Sequence, residues 1–299
     1  MAEGVLILVV LIVIVLIMPK GTPNPDVNSP TSNIPNSNSS GGASPEPNSS
    51  YARYIYLGTG NATFSFQPYE EYVTINNSSS DPINITGWQL KNGKNKRAYD
   101  FGGDLRYFPA DTATIPQATL FISPSSFNTF QDVILQNGEQ AIVTTGLIGS
   151  QLPYKIVSFK ENICSGFLED LSEYAFTPPL EHNCPRPADE PGVRSLGTEC
   201  QRFIERMPSC HTPAFNTRDR EGDICSNCVD STLLSSSCVA FIKEHFNYSS
   251  CIAYHQHDSN FSSRTWRIFL GRSWEMWADK YETIELFDQL GRLVDYRTY

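Results

Sequence analysis

The stretch that decides the fold class is Ile83-Asn84-Ile85-Thr86-Gly87-Trp88-Gln89-Leu90. Its first two apolar residues are separated by one polar residue, which is the period of a half-buried β-strand. The next two, Trp88 and Leu90, continue the alternation with the opposite parity. A one-residue slip at Gly87 restores a single buried face, because glycine tolerates the left-handed backbone of a β-bulge. The stretch therefore predicts a bulged strand.

Similar β-type runs occur on both sides of it, rich in aromatic and β-branched residues. They lie at residues 54–57, 72–75, 266–270 and 284–286, and the pair Asn137-Gly138 between two apolar runs is a strong hairpin signal. We predict a mainly β chain in which residues 51–163 and the closing strands at 264–299 form one antiparallel β-sandwich.

All eight cysteines fall in the 88 residues between these two parts, where strand alternation is missing. Two amphipathic helices are predicted there, at 198–207 and 234–246. An even number of cysteines is typical of disulfide pairing in an oxidising compartment, although spacing alone does not choose the partners. We predict a disulfide-bonded, partly helical insertion over residues 164–263, with disulfides among Cys164, Cys184, Cys200, Cys210, Cys225, Cys228, Cys238 and Cys251.

Metal binding is the alternative use of this stretch. Cys225 and Cys228 have the spacing of zinc ligands, and His255 and His257 would lie on one face if they belonged to a strand. A second Cys-x-x-Cys is absent, so these four are only alternative metal ligands. The phosphate-binding, dinucleotide-binding, HExxH and GxSxG signatures are also absent. We predict a protein that is not an enzyme, with no catalytic residue, cofactor or metal.

The N-terminus begins with 14 consecutive apolar residues at 5–18. A signal peptide would need a basic region before them and a small-residue cleavage site after them, and neither is present. We predict an uncleaved membrane helix over residues 1–18 that contacts the bilayer through residues 4–18. Of the 32 residues at 19–50, 24 are Pro, Asn, Ser or Gly, which predicts a disordered stalk.

The net charge of −10 argues against binding to nucleic acid, which requires clustered Lys and Arg. Glu70 and Glu71 are neighbours that would point to opposite faces of a strand, so we interpret both as solvated charges. Trp274 and Trp277 are three residues apart and could cover an apolar face or a ligand surface. A binding module would show an exposed aromatic patch or a large interface.

Residues 70–77 and 83–90 resemble the opening strands of the lamin tail domain family, and residues 137–144 and 284–295 resemble its central hairpin and closing strands. Cys164-Ser165-Gly166-Phe167 and residues 184–190 are similar to a bacterial subgroup with a cysteine-rich insertion. The resemblance implies an immunoglobulin-like β-sandwich in an envelope-associated or secreted protein. Some bacterial members of the family are joined to exported hydrolases.

The sequence thus predicts a membrane-tethered, extracytoplasmic, non-catalytic binding or structural module of the cell envelope, at the cell surface or in the periplasm. Its partners would be the membrane and a protein or envelope polymer. The alternative is an exported hydrolase or a metal-binding protein with its site in the insertion.

Overall fold

Two main β-sheets are built from strands that lie far apart in the sequence. A computed structural model of the chain describes residues 46–93, 97–101, 104–108, 111–149, 152–219 and 221–299. The strands are β1 Ile55–Gly58, β2 Tyr72–Asn77, β3 Ile83–Asn84, β4 Gln89–Asn92, β5 Arg97–Phe101, β6 Asp104–Phe108, β7 Thr112–Thr114, β8 Ile134–Leu135, β9 Gln140–Thr144, β10 Phe159–Asn162, β11 Cys228–Val229, β12 Thr232–Leu233, β13 Ser262–Phe269, β14 Thr283–Phe287 and β15 Leu293–Thr298. The helices are α1 Gly166–Glu169, α2 Thr198–Arg206, α3 Ser236–His245 and α4 Tyr248–His255, with 3-10 turns at Pro187–Asp189 and Val193–Ser195.

One sheet has the strand order β1-β2-β9-β13-β10 and the other has the order β15-β14-β4-β7. Neighbouring strands in these two sheets are antiparallel, with the exception of β9 and β13, which run parallel. The expectation of a fully antiparallel sandwich is wrong at this pair. Parallel strands need a long crossover connection, and here β10 and the whole insertion supply it.

The two sheets share one apolar core. β2 and β14 alternate strictly between buried and half-buried residues, as the two-residue period requires. Val73 and Ile268 from the first sheet belong to the same buried cluster as Leu90 and Leu286 from the second. The chain is therefore mainly β, and its parts before and after the insertion close on a common core.

The predicted change of parity in the decisive stretch is confirmed. Both isoleucines, Trp88 and Leu90 are all buried in the shared core, and Gly87 has a φ of +81° in the left-handed region. The predicted continuous, bulged strand is wrong, since a turn at Gly87 separates β3 from β4. β3 pairs with β8, whereas β4 pairs with β7 and β14, so the turn passes the chain from one sheet to another.

The insertion contains all four helices found in the described part of the chain. The two predicted helices correspond to α2 and α3, and the shorter α1 and α4 had no clear periodic signal. Its apolar side chains form two clusters: one packs around Phe159 and Phe269 of β10 and β13, and the other surrounds α2 and α3. The first cluster is what attaches the insertion to the five-stranded sheet.

The folded part begins before the predicted boundary at residue 50. The backbone N–H groups of Asn48 and Ser49 donate to the Leu293 carbonyl at 3.0 and 2.9 Å, and the Asn48 Oδ1 atom accepts from the Leu293 N–H at 2.8 Å. The predicted membrane helix at 1–18 and stalk residues 19–45 lie outside the described residues. Among the described residues, no helix has the length and apolarity needed to cross a membrane.

Candidate functional site

The cysteines of the insertion are fully paired. The disulfides are Cys164–Cys251, Cys184–Cys210, Cys200–Cys238 and Cys225–Cys228, and no cysteine is free. The prediction that all eight cysteines form disulfides is confirmed. Four disulfides in one chain are typical of an oxidising, extracytoplasmic environment.

This pairing leads to a direct test of the compartment. We expect all eight cysteines of the full-length protein, taken from intact cells and alkylated without reductant, to resist labelling. Labelling at every cysteine should follow reduction under denaturing conditions, and mass spectrometry counts the added groups. Eight alkylated cysteines without reductant would contradict an oxidising location.

The four alternative metal ligands are not brought together. Cys225 and Cys228 are bonded to each other, so neither offers a thiolate. His255 is the last residue of α4, so it and His257 do not share the face of a strand. The Nε2 atom of His255 lies 2.9 Å from Glu190, while the exposed His257 lies beyond the helix end. Over the described ranges, no three His, Cys, Asp or Glu residues are arranged to hold a metal ion.

A different candidate site lies at one end of the two sheets, where three loops meet. We call it the loop end and define it as residues 59–71, 145–149 and 270–282. The Gly146 N–H donates to the Pro68 carbonyl at 2.6 Å, and the Arg272 N–H donates to the Thr145 carbonyl at 2.8 Å. Backbone hydrogen bonds thus join the loop after β9 to the loops after β1 and β13.

The buried Glu71 side chain holds the three loops together through hydrogen bonds. Its carboxylate accepts from the Thr145 hydroxyl at 2.5 Å and from the N–H groups of Met276 and Trp277 at 2.7 and 3.0 Å. The side chain is fully buried, so its interpretation as a solvated charge is wrong. Its parity is that of Val73 and Ile75 in β2, and this parity was the signal that could have placed it in the core.

Burial raises the pKa of Glu71 to about 7, although the hydrogen bonds from Thr145, Met276 and Trp277 oppose the rise. Glu275 carries the neighbouring charge that raises it further. Between about pH 4.5 and pH 7, the Glu71 carboxyl group is therefore protonated in the folded protein and ionised in the unfolded chain. Stability from this group is complete below the unfolded pKa and is lost as the pH rises through the folded pKa.

We therefore expect the free energy of unfolding to fall between pH 5 and pH 8, by no more than about 3 kcal/mol from this group. The Glu71→Gln variant should lose most of that slope, because its side chain does not titrate. Urea denaturation at a series of pH values measures both. Glu244→Gln, the same change at an exposed position of α3, is the control and should keep the wild-type slope. An unchanged slope in Glu71→Gln would contradict the assignment.

Large apolar side chains stand exposed on these fixed loops. Phe64, Phe66 and Trp274 are 78%, 79% and 74% exposed, and Leu147 on the third loop is 54% exposed. Of the two tryptophans noted in the sequence, only Trp277 is buried. The two aromatic-bearing loops are joined directly, because Glu71 of the first accepts from the Met276 and Trp277 N–H groups of the second.

Three acidic groups, Glu70, Glu275 and Asp279, lie on the same loops as these aromatic side chains, and we call them the acidic rim. Burial raises the pKa of Glu275, the Ser65 hydrogen bond opposes the rise, and the carboxylates of Asp279 and Glu70 add to it. The carboxylates of Asp279 and Glu70 therefore each lie close enough to repel that of Glu275. The Arg272 guanidinium of the same loop is paired with Asp111. The loop end thus combines an apolar tip with a rim of negative charge.

Strand β15 shows at which end of the sheets the loop end lies. This strand starts at Leu293, which is hydrogen-bonded to Asn48. It leads to Tyr299, which exchanges backbone hydrogen bonds with Glu282 and whose hydroxyl donates to the Ala62 carbonyl at 3.4 Å. Six strand residues span about 20 Å. The loop end therefore lies at the opposite end of the sheets from Asn48 and Ser49.

A rigid, exposed aromatic surface with a charged rim is suited to binding a partner. The sequence signalled Trp274 as a candidate for such a surface, but it did not signal the two phenylalanines or Leu147. Their exposure follows from loop positions that have no periodic pattern. The chain matches no protein-family model, no curated protein and no solved structure.

Proposed function

We propose that this chain is a membrane-tethered, extracytoplasmic, non-catalytic binding module of the cell envelope, and that its partner docks on the loop end. The observation that carries the proposal is the exposure of Phe64, Phe66 and Trp274 on loops that the hydrogen bonds of Glu71 join. Exposed aromatic side chains on a preorganised surface are the residues that dominate binding energy at protein interfaces.

The proposed partner is a protein with a basic and partly apolar surface. Glu70, Glu275 and Asp279 would attract Lys or Arg side chains, which can also lie over aromatic rings. The overall charge of −10 has the same sign as this rim. An anionic lipid surface would be repelled by the same charges.

The location and fold family are part of the proposal. The four disulfides support an oxidising compartment, and the apolar segment at 5–18 supports attachment to a membrane. Two sheets with a common core support an immunoglobulin-like sandwich of the lamin tail type. Its proposed closing hairpin has Gly291 at a φ of +72°, and the Asp288 carboxylate accepts from the Arg292 N–H at 3.0 Å.

Photo-crosslinking of the full-length protein in intact cells tests the docking surface. p-Benzoylphenylalanine replaces Phe64 in one variant and Trp274 in another. We expect both to give a discrete crosslinked protein species on illumination, identified by mass spectrometry. The matched control is the same replacement of Leu290, which is 72% exposed at the β14–β15 turn, near the opposite end of β15.

Two results would overturn this proposal in different ways. Equal crosslinking at Leu290 and at the loop end, or none at either, would remove the loop end as the docking surface. A heterogeneous product that collapses on treatment with a polysaccharide-degrading enzyme would show that the partner is an envelope polymer rather than a protein.

A further inference from the structure

We infer that the insertion contains a second binding site, which takes a small organic anion with an apolar body. The site is a cleft of about 630 Å³ between α2 and the β11–β12 hairpin. Clefts that bind small molecules have volumes of about 300–1,000 Å³. This cleft lies in the insertion, so it is separate from the loop end and does not depend on the proposed docking there.

Two unpaired guanidinium groups face this cleft. Arg202 and Arg206 are four residues apart on α2, so their side chains share one face of the helix. Both are exposed, and neither side chain has a hydrogen bond or ion pair with any residue that the structure describes. The planar fork of a guanidinium matches a carboxylate, phosphate or sulfonate group.

The acidic groups at the cleft do not form ion pairs with the two arginine side chains. Both oxygens of Asp230 are already used, since Oδ1 accepts from the Ala214 N–H and Oδ2 lies 2.9 Å from the Nε2 atom of His211. The other ring nitrogen of His211 lies 3.4 Å from Asp170. Glu199 is the one remaining carboxylate in the lining. The formal charges of these side chains balance, but both Asp230 oxygens already have partners, so Glu199 is the one lining carboxylate without a partner that faces the two guanidiniums.

Apolar side chains form the floor between the charged walls. Met207 and Leu234 are buried, and Phe203 is half-buried beside the two arginines. The Cys200–Cys238 disulfide joins α2 to α3 beneath the cleft. A rigid apolar floor beside two cationic groups favours a ligand with an acid group attached to an aromatic or aliphatic body.

The turn between β11 and β12 forms the side of the cleft that faces α2. Asp230 and Ser231 both have positive φ, at +46° and +63°, as the central residues of a type I′ turn do. This conformation directs the Asp230 carboxylate to His211 and leaves Thr232 at the edge of the cleft. The wall is thus built by backbone geometry and hydrogen bonds that exist without a ligand.

Fluorescence titration of the full-length protein tests this site with 8-anilinonaphthalene-1-sulfonate, an aromatic sulfonate that becomes fluorescent away from water. We expect one saturable component whose dissociation constant rises at least tenfold in the Arg202→Gln/Arg206→Gln variant. The matched control, Arg186→Gln/Arg194→Gln, makes the same charge change at exposed positions of the insertion outside the cleft lining. It should stay within twofold of the wild type.

A second probe separates anion recognition from simple apolar binding. N-phenyl-1-naphthylamine has the same aromatic body without the sulfonate, so its binding should not change in the Arg202→Gln/Arg206→Gln variant. Three results would each overturn the inference. They are an equal loss of affinity for both probes in the Arg202→Gln/Arg206→Gln variant, an equal loss of affinity in the two double variants, and the absence of a saturable component. The Trp274→Ala variant should retain the component, so failure here is distinguishable from failure of the loop-end proposal.

Discussion

Replacing Cys164 and Cys251 together with alanine is expected to lower the free energy of unfolding by about 4–5 kcal/mol. This disulfide closes a loop with a sequence separation of 87, so its loss releases a large amount of chain entropy in the unfolded state. Both residues are buried in the cluster that attaches the insertion to β10 and β13. Guanidinium denaturation of the wild type and the variant measures the difference.

The matched control is the Cys225→Ala/Cys228→Ala variant. It also removes one disulfide, but the sequence separation is only 3, so the expected loss is about 2 kcal/mol. If the two variants lose equal stability, loop closure would not be the source of the effect. Loss of less than about 1 kcal/mol in the Cys164 and Cys251 variant would show that the insertion is held by packing alone.

Arg267→Met is expected to cost about 3–5 kcal/mol, because it leaves the Glu161 carboxylate buried without its partner. Both side chains are almost fully buried, and the Arg267 Nε donates to Glu161 between β13 and β10. The same guanidinium donates to the carbonyls of Pro178 and Pro179 at 2.6 and 2.8 Å. Burial raises the pKa of Glu161 despite the opposing charge of Arg267, so removing that charge must raise it further.

A double variant distinguishes charge pairing from simple packing. Glu161→Leu/Arg267→Met removes both charges, so it should be more stable than Arg267→Met alone, although the two proline carbonyls remain without their donor. A double-mutant cycle by denaturation gives the coupling between the two side chains. If the double variant is as unstable as the sum of the two single variants, the pair is not coupled and the argument fails.

The alternation of apolar residues was enough to predict the β class and the parity change around Gly87. It was not enough to predict that β3 and β4 belong to different sheets, since the same two-residue period serves a bulge and a turn equally well. The parallel pairing of β9 and β13 could not be predicted either, because the residue pattern within a strand does not show the direction of the strand that pairs with it.

The candidate site was less accessible to sequence reasoning than the fold. The even number of cysteines predicts disulfides but not which cysteines pair, and the spacing of His255 and His257 does not show that His255 ends a helix. Glu71 was misjudged since charge was weighed above parity. The unpaired state of Arg202 and Arg206 depends on which side chains the fold brings near α2, and no local pattern contains that information.

The position of β13 between β9 and β10 has a consequence for the synthesis of the chain. During chain elongation, β9 has one open edge until residues 262–269 emerge, because its parallel partner is separated from it by β10 and the whole insertion. Any product that ends before β13 would present that unpaired edge to other chains, which is a route to aggregation. The whole insertion is therefore synthesised while the sheet that will carry it is still incomplete.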